Sequence, residues 1–213
     1  MLMTQYRKNL GFSLIEVLVT IIILSIGLLG LAGLQGRALM AQVESYQRSQ
    51  ALVLIKDMTD RIDANRKNAA SYVTAGTTFL GTGSVPQTPA YCAGLATLQA
   101  RDSCEWNNAL LGTAEIQGAS ATSCANCVGA MTGARGCIYQ LLAPVAGVPT
   151  VYQVVVAWQG MNPTAIPNAA TPTSITSTSA GRCAANQYKD SKGVVLEKLH
   201  RVISMPVSVG DLH

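Results

Sequence analysis

The chain has 213 residues, of which 49% are hydrophobic and only 12% charged, and its mean hydropathy is +0.28. That length allows one domain plus an appendage, and the composition is too apolar and too poor in charge for a disordered chain. The formal net charge is +4, but without Arg7 and Lys8 in the first ten residues 13 basic side chains stand against 11 acidic ones, so no electrostatic footprint for nucleic acid remains.

The first element is apolar. From Val17 to Leu34 no charge interrupts the chain, a length of about 27 Å as a helix and close to a bilayer core once its flanks are counted. This is too long for the core of a cleaved secretory signal. It is also the only such segment, which excludes a multi-span membrane protein. Arg7 and Lys8 precede it, so the positive-inside rule keeps the short N-terminus in the cytoplasm and sends the rest outward. Physics alone therefore gives a single-pass anchor displaying an outer domain. Glu16 departs from that pattern. A carboxylate at the centre of a membrane helix costs about 2.5–3.5 kcal/mol, less near an interface. It needs either a partner or solvation at the headgroups.

The helix is expected to continue past the membrane. No proline occurs from Ser13 to Arg66. Leu39, Val43, Tyr46, Leu52, Ile55, Met58 and Ile62 keep mostly three- and four-residue steps. One helix of roughly 50 residues, about 80 Å long, follows. Its first half is apolar all round and its second half amphipathic. Gly27, Gly30, Gly33 and Gly36 recur every third residue, suited either to close helix packing in lipid or to local loss of helicity in an assembly. Asp57, Asp60 and Asp63 alternate with Lys56, Arg61, Arg66 and Lys67 and read as an ion-paired, solvated face rather than a cation site.

Beyond the helix, residues 67–91 read as a loop, with Pro86 and Pro89. Residues 92–135 show no clear period. Residues 137–143 and 150–159 read as a hairpin around Pro144 and Pro149, with Tyr152, Val154, Val156 and Trp158 on the face that meets the helix. A loop rich in Pro, Thr, Ser and Ala follows over residues 160–181 and is long enough to be functional. Residues 194–209 close the chain as a strand or pair, and Pro206 argues against a central position. The expected fold is α+β, a long helix on a small antiparallel sheet.

All six cysteines (Cys92, Cys104, Cys124, Cys127, Cys137 and Cys183) lie in the outer part. An even number confined to an exported domain points to disulfides in an oxidising compartment. Cys92 and Cys104 are close in sequence and are expected to pair, and Cys183 is expected to staple the late loop to Cys124, Cys127 or Cys137. Cys124-x-x-Cys127 is also half of a zinc site, but only His200 and His213 exist to complete one. No thioredoxin-like pattern surrounds that pair. There is no phosphate loop and no nucleophile elbow. Nothing in the sequence calls for a catalytic residue, a metal or a cofactor.

The string Gly11-Phe12-Ser13-Leu14-Ile15-Glu16 resembles the leader junction of type IV pilins and secretion pseudopilins. The resemblance implies that residues 1–11 are a leader and that a membrane peptidase cuts between Gly11 and Phe12. It implies methylation of the new Phe12 amine, and pairing of Glu16 with the N-terminal amine of a neighbouring subunit. Residues 12–36 are then the membrane and assembly half of the helix, 37–66 the amphipathic half, and 67–213 the outer domain of a lollipop-shaped subunit. The segments Val154-Val-Val-Ala-Trp-Gln-Gly, Leu199-His-Arg-Val-Ile-Ser and Ile22-Ile-Leu-Ser-Ile-Gly-Leu-Leu-Gly-Leu-Ala-Gly resemble PilV-type minor pilins. That implies a scarce, non-enzymatic subunit, held in a bacterial inner membrane with its outer domain in the periplasm and then moved to the tip of a pilus. Its implied partners are other minor pilins, the major pilin, the prepilin peptidase, the inner-membrane assembly platform and a large tip adhesin. A pseudopilin of a type II secretion or DNA-uptake system carries the same leader.

Overall fold

An uninterrupted helix, α1 (Leu14–Ala64), opens the fold. It begins where the Ser13 carbonyl accepts the Glu16 and Val17 amides, and no proline breaks it. The computed structural model describes residues 11–74, 78–112, 131–141, 148–168, 180–190 and 192–210. The chain divides into two compact units, one ending at Val43 and one beginning at Glu44. The first contains residues 14–43 of α1, every one of them exposed. The second holds residues 44–64 of α1 and everything that follows.

In the second unit a 3-10 segment (Arg66–Tyr72) leads to a short edge strand, β1 (Leu80–Gly81). Two helices follow, α2 (Pro89–Ala93) and α3 (Leu98–Leu111). Residues 67–91 are thus not all loop, and the stretch without a clear period holds a helix of 14 residues. Its ends are marked by local chemistry rather than by hydrophobic period. The Thr97 hydroxyl accepts the Ala100 amide at 3.2 Å, and Gly112 closes α3 in the left-handed region at φ 70°. A threonine cap is worth about 1 kcal/mol, and glycine adopts that φ at little cost.

The expected hairpin forms, as β2 (Arg135–Gln140) and β3 (Thr150–Gln159), in a register that sets Ile138 opposite Val154. The final strand, β4 (His200–Val209), pairs with β3 along its whole length, Thr150 facing Val209 and Gln159 facing His200. The sheet is antiparallel throughout, in the order β1-β2-β3-β4. Pro206 therefore sits on an edge strand, where a missing amide does no harm.

Tyr152, Val154, Val156 and Trp158 turn towards Ala51, Ile55, Met58 and Ile62 of α1, with Trp106 of α3 in the same core. The face of α1 that packs is narrower than its apolar pattern. Tyr46 and Leu52 are exposed, and the buried line runs Gln47, Ala51, Ile55, Met58, Thr59, Ile62.

β3 is buried on both faces. Val155 and Ala157, with Cys137 and Tyr139 of β2, pack beneath Ala180, Cys183, Ala184 and Tyr188. The unbroken run Val154-Val155-Val156 is what a strand covered on both sides requires. Two disulfides secure the layers. Cys92–Cys104 joins α2 to α3, and Cys137–Cys183 fastens the outer cover to β2, with Cα atoms 5.5 and 5.7 Å apart. Cys124 and Cys127 lie outside the described residues, as do residues 169–179 of the long loop.

Candidate functional site

Among the described residues, no residue of the first unit is buried. Its 18-residue window of highest mean hydropathy reaches 2.7, and none of it is buried. At 1.5 Å per residue, residues 14–43 extend about 45 Å, enough to cross an apolar layer of about 30 Å. Between Leu14 and Leu34 the only polar side chains are Glu16, Thr20 and Ser25. The two hydroxyls donate to their own helix, Thr20 to the Val17 carbonyl at 2.8 Å and Ser25 to the Ile21 carbonyl at 2.7 Å. Back-bonding of this kind satisfies a hydroxyl where no water is available. Glu16 has no such partner among the described residues.

Glu16 stands in the first turn of α1, where the unpaired amides of a helix start favour a negative charge by about 0.3–1 kcal/mol. Phe12 lies one turn before it and is 85% exposed. Gly11 has no described atom within 4 Å of the position a Cβ would take, and the same is true of Gly27, Gly30, Gly33 and Gly36. Nothing in the described fold requires glycine at these five positions.

In the second unit the ionisable groups serve the fold. Asp102 is buried at the start of a network in which Arg61 donates to it at 3.0 Å and the Tyr72 hydroxyl donates to its other oxygen. Arg61 also meets Asp57 at 3.0 Å and Glu105 at 2.6 Å. Burial first, and then the Asp102 hydrogen bond, push the Tyr72 hydroxyl up to about 12. Asp57, Asp60 and Asp63 do not converge on a common point. They pair with Arg61, Lys56 and Arg66, and no described cluster of His, Cys, Asp or Glu is arranged to hold a metal ion.

Arg135 lies 5.0 Å from the Phe79 ring centroid and 5.1 Å from that of Tyr188. Its own strand gives no sign of this sandwich, since both rings come from elements distant in sequence. His200, expected on a strand as an ordinary exposed or packed residue, is fully buried. Its Nδ1 is 3.1 Å from Glu197, its ring centroid is 5.0 Å from that of Tyr188 with the planes tilted by 34°, and the Arg135 charge also bears on it. Burial pulls His200 below the ordinary 6.5, although Glu197 acts in the opposite direction. A group that folding holds neutral stabilises the fold above its unfolded value, and that stability is lost as pH falls. The midpoint of thermal unfolding is expected to be level above about pH 6.5 and to decline below it. In His200→Gln that part of the decline should vanish. An unchanged slope in the variant would assign the acid sensitivity to carboxylates instead.

Glu44 and Arg201 form the second unit's other polar centre. Arg201 meets Glu44 at 3.2 Å, donates to Thr164 Oγ1 at 2.6 Å and reaches the carbonyls of Lys198 and Asn162. Glu44 also accepts the Met161 and Asn162 amides. The segment after β3 is thereby stitched to α1. No sequence pattern announced this pair, whose members are 157 residues apart.

A family model described as Type IV pilin Tt1218 matches residues 33–143, just over half of the chain. The chain belongs to the Tt1218-like family of type IV pilins. A second model, the prokaryotic N-terminal methylation motif, matches residues 6–32 of this pilin. That span includes Gly11, Phe12 and Glu16 and the uncovered apolar helix. Neither a curated protein nor a solved structure matches the chain. The two matched regions meet inside α1, and together they account for the pilin from its leader junction through β2.

Proposed function

We propose that this pilin is a minor subunit of a type IV pilus, incorporated at or near the tip and helping to prime assembly. The carrying observation is the string Gly11-Phe12-Ser13-Leu14-Ile15-Glu16 set at the start of an apolar helix that no described residue covers. Residues 1–11 are the leader, which prepilin peptidase removes, and Phe12 becomes the methylated N-terminus. Residues 12–36 hold the precursor in the inner membrane and then pack among the helices of other pilins. Lipid tails are as apolar as these side chains, so exchanging lipid for like helices carries little hydrophobic gain or cost, and close packing decides the balance. The outer domain faces the periplasm before assembly and the exterior afterwards. The subunit is a structural protein rather than an enzyme, and force and ATP hydrolysis come from the assembly machinery. The resemblance of its β3, β4 and membrane segments to PilV-type pilins supports the minor role.

Intact mass and N-terminal sequencing of the chain from sheared surface filaments and from membranes test this directly. The expected chain starts at N-methylated Phe12 and is sparse in filaments. The same mature chain found only in membranes would make it a secretion pseudopilin. A chain that keeps residues 1–11 in both fractions would leave a plain membrane anchor.

A further inference from the structure

Beside the Glu44–Arg201 pair, a groove of about 380 Å³ opens between α1 and the edge strand β4. Glu44, Ser45 and Arg48 form one wall, and Trp158, Arg201, Val202 and Ile203 form the other. Its charges are unequal in their freedom. Glu44 and Arg201 neutralise each other, and their remaining valences are taken by the 161–164 backbone and Thr164. Arg48 and the Ser45 hydroxyl, by contrast, have no partner among the described residues. The groove therefore offers one unpaired guanidinium, one free hydroxyl and an apolar wall.

We propose that this groove is a socket for an acidic side chain of a different pilin subunit. A guanidinium fork matches a carboxylate in two parallel hydrogen bonds. The apolar wall of Trp158, Val202 and Ile203 accepts the methylene stem, and shielding by that wall strengthens the pair relative to one in open water. A second copy of this chain is the poorer occupant. Every described acidic side chain from Glu44 onward is already engaged within its own subunit. Arg48 is thus the cation without a carboxylate in this groove, and Lys67, Lys189, Lys192 and Lys198 are likewise without one elsewhere on the second unit. No described carboxylate there is spare (Glu115 and Asp211 lie outside the described residues), an excess of positive charge that suits one side of a heterologous contact. This inference rests on the filament-subunit reading given above.

The test places a photo-crosslinker in the groove, as Ser45→p-benzoylphenylalanine, in the full chain expressed in cells that assemble it. The expected adduct joins it to a different pilin, at a peptide carrying Asp or Glu. Arg48→Glu, a change at an exposed position, should cut the adduct by about tenfold or more. Replacing the mapped acid by Arg in that background should restore it. Adducts formed only with a second copy or with lipid would overturn the socket, as would an adduct indifferent to Arg48→Glu. So would no adduct from a chain that starts at Phe12 and is present in filaments. A chain still carrying residues 1–11 would remove the filament-subunit reading first, and the socket with it.

Discussion

Trp106→Ala is expected to destabilise the folded unit by about 3–5 kcal/mol, measured by denaturant unfolding of the full chain in detergent micelles. Trp106 is fully buried, and its indole N–H donates to the Leu54 carbonyl of α1 at 2.9 Å. The ring also lies against Gly136 of β2, where an added Cβ would sit 2.3 Å from the ring edge. One side chain thus binds α3 to both the helix and the sheet. Gly136→Ala should cost about 1–3 kcal/mol by overpacking, since the ring cannot withdraw. Trp106→Ala removes the two closest contacts and leaves the Leu110 Cδ1 methyl at 2.7 Å, a side-chain end that can shift into the space vacated by the indole. The double variant should therefore be more stable than the sum of the single costs, by about 0.5–3 kcal/mol. Strict additivity would show that the two sites do not share the contact described. Trp106→Phe should fall between the unsubstituted chain and Trp106→Ala, because it loses the hydrogen bond, worth about 1 kcal/mol, and part of the ring volume, while keeping a six-membered ring in the core.

That site also shows where sequence reading succeeds and where it stops. β3 was legible because alternation and a continuous Val run carry both faces of a central strand, and α1 because no proline or polar break interrupts it. α3 was not. Its sequence Leu98-Gln-Ala-Arg-Asp-Ser-Cys-Glu-Trp-Asn-Asn-Ala-Leu-Leu111 puts only Trp106, Leu110 and Leu111 into the core as apolar anchors. The buried Asp102 and Asn107 occupy places that an amphipathic pattern would give to hydrophobes. Asn107 is there because its carbonyl accepts the Gly81 amide at 2.8 Å, a contact no local pattern encodes. The usable signals were the caps, Thr97 and Gly112. Leu39, Val43, Tyr46 and Leu52 illustrate the opposite error, since an apolar period identifies a helix without saying what covers it. Their exposure within one subunit is consistent with cover supplied by other chains. The N-terminal methylation motif was legible for a different reason. Gly11, Phe12 and Glu16 are required by nothing in the described packing, so the pattern survives as an address rather than as a consequence of the fold.

Glu16→Ala is expected to have two effects of opposite sign. Removing a carboxylate from an apolar helix relieves an insertion cost of up to about 2.5–3.5 kcal/mol, so the precursor should enter the membrane at least as well as before. Cleavage at Gly11 should also proceed, because the scissile bond lies five residues away and outside α1. Incorporation should nevertheless fall, by about tenfold or more in immunoblots of sheared filaments. On the proposed reading the charge removed pairs with a neighbouring Phe12 amine, and the loss of one member of a pair in low dielectric leaves the other with its full desolvation cost. Glu16→Gln preserves shape and helix propensity while removing the charge, so it should behave like Glu16→Ala if the pairing is electrostatic. If Glu16 were merely solvated among headgroups, both variants would enter filaments at the normal level. A bulky residue at Gly11 provides the contrasting failure, an uncleaved precursor retained in the membrane. Accumulation of a mature chain beginning at Phe12 in the Glu16 variants, and of a full-length chain in the Gly11 variant, would place the two residues at successive steps. On that outcome Gly11 would act at processing, and Glu16 only after cleavage had created the amine it is proposed to pair with.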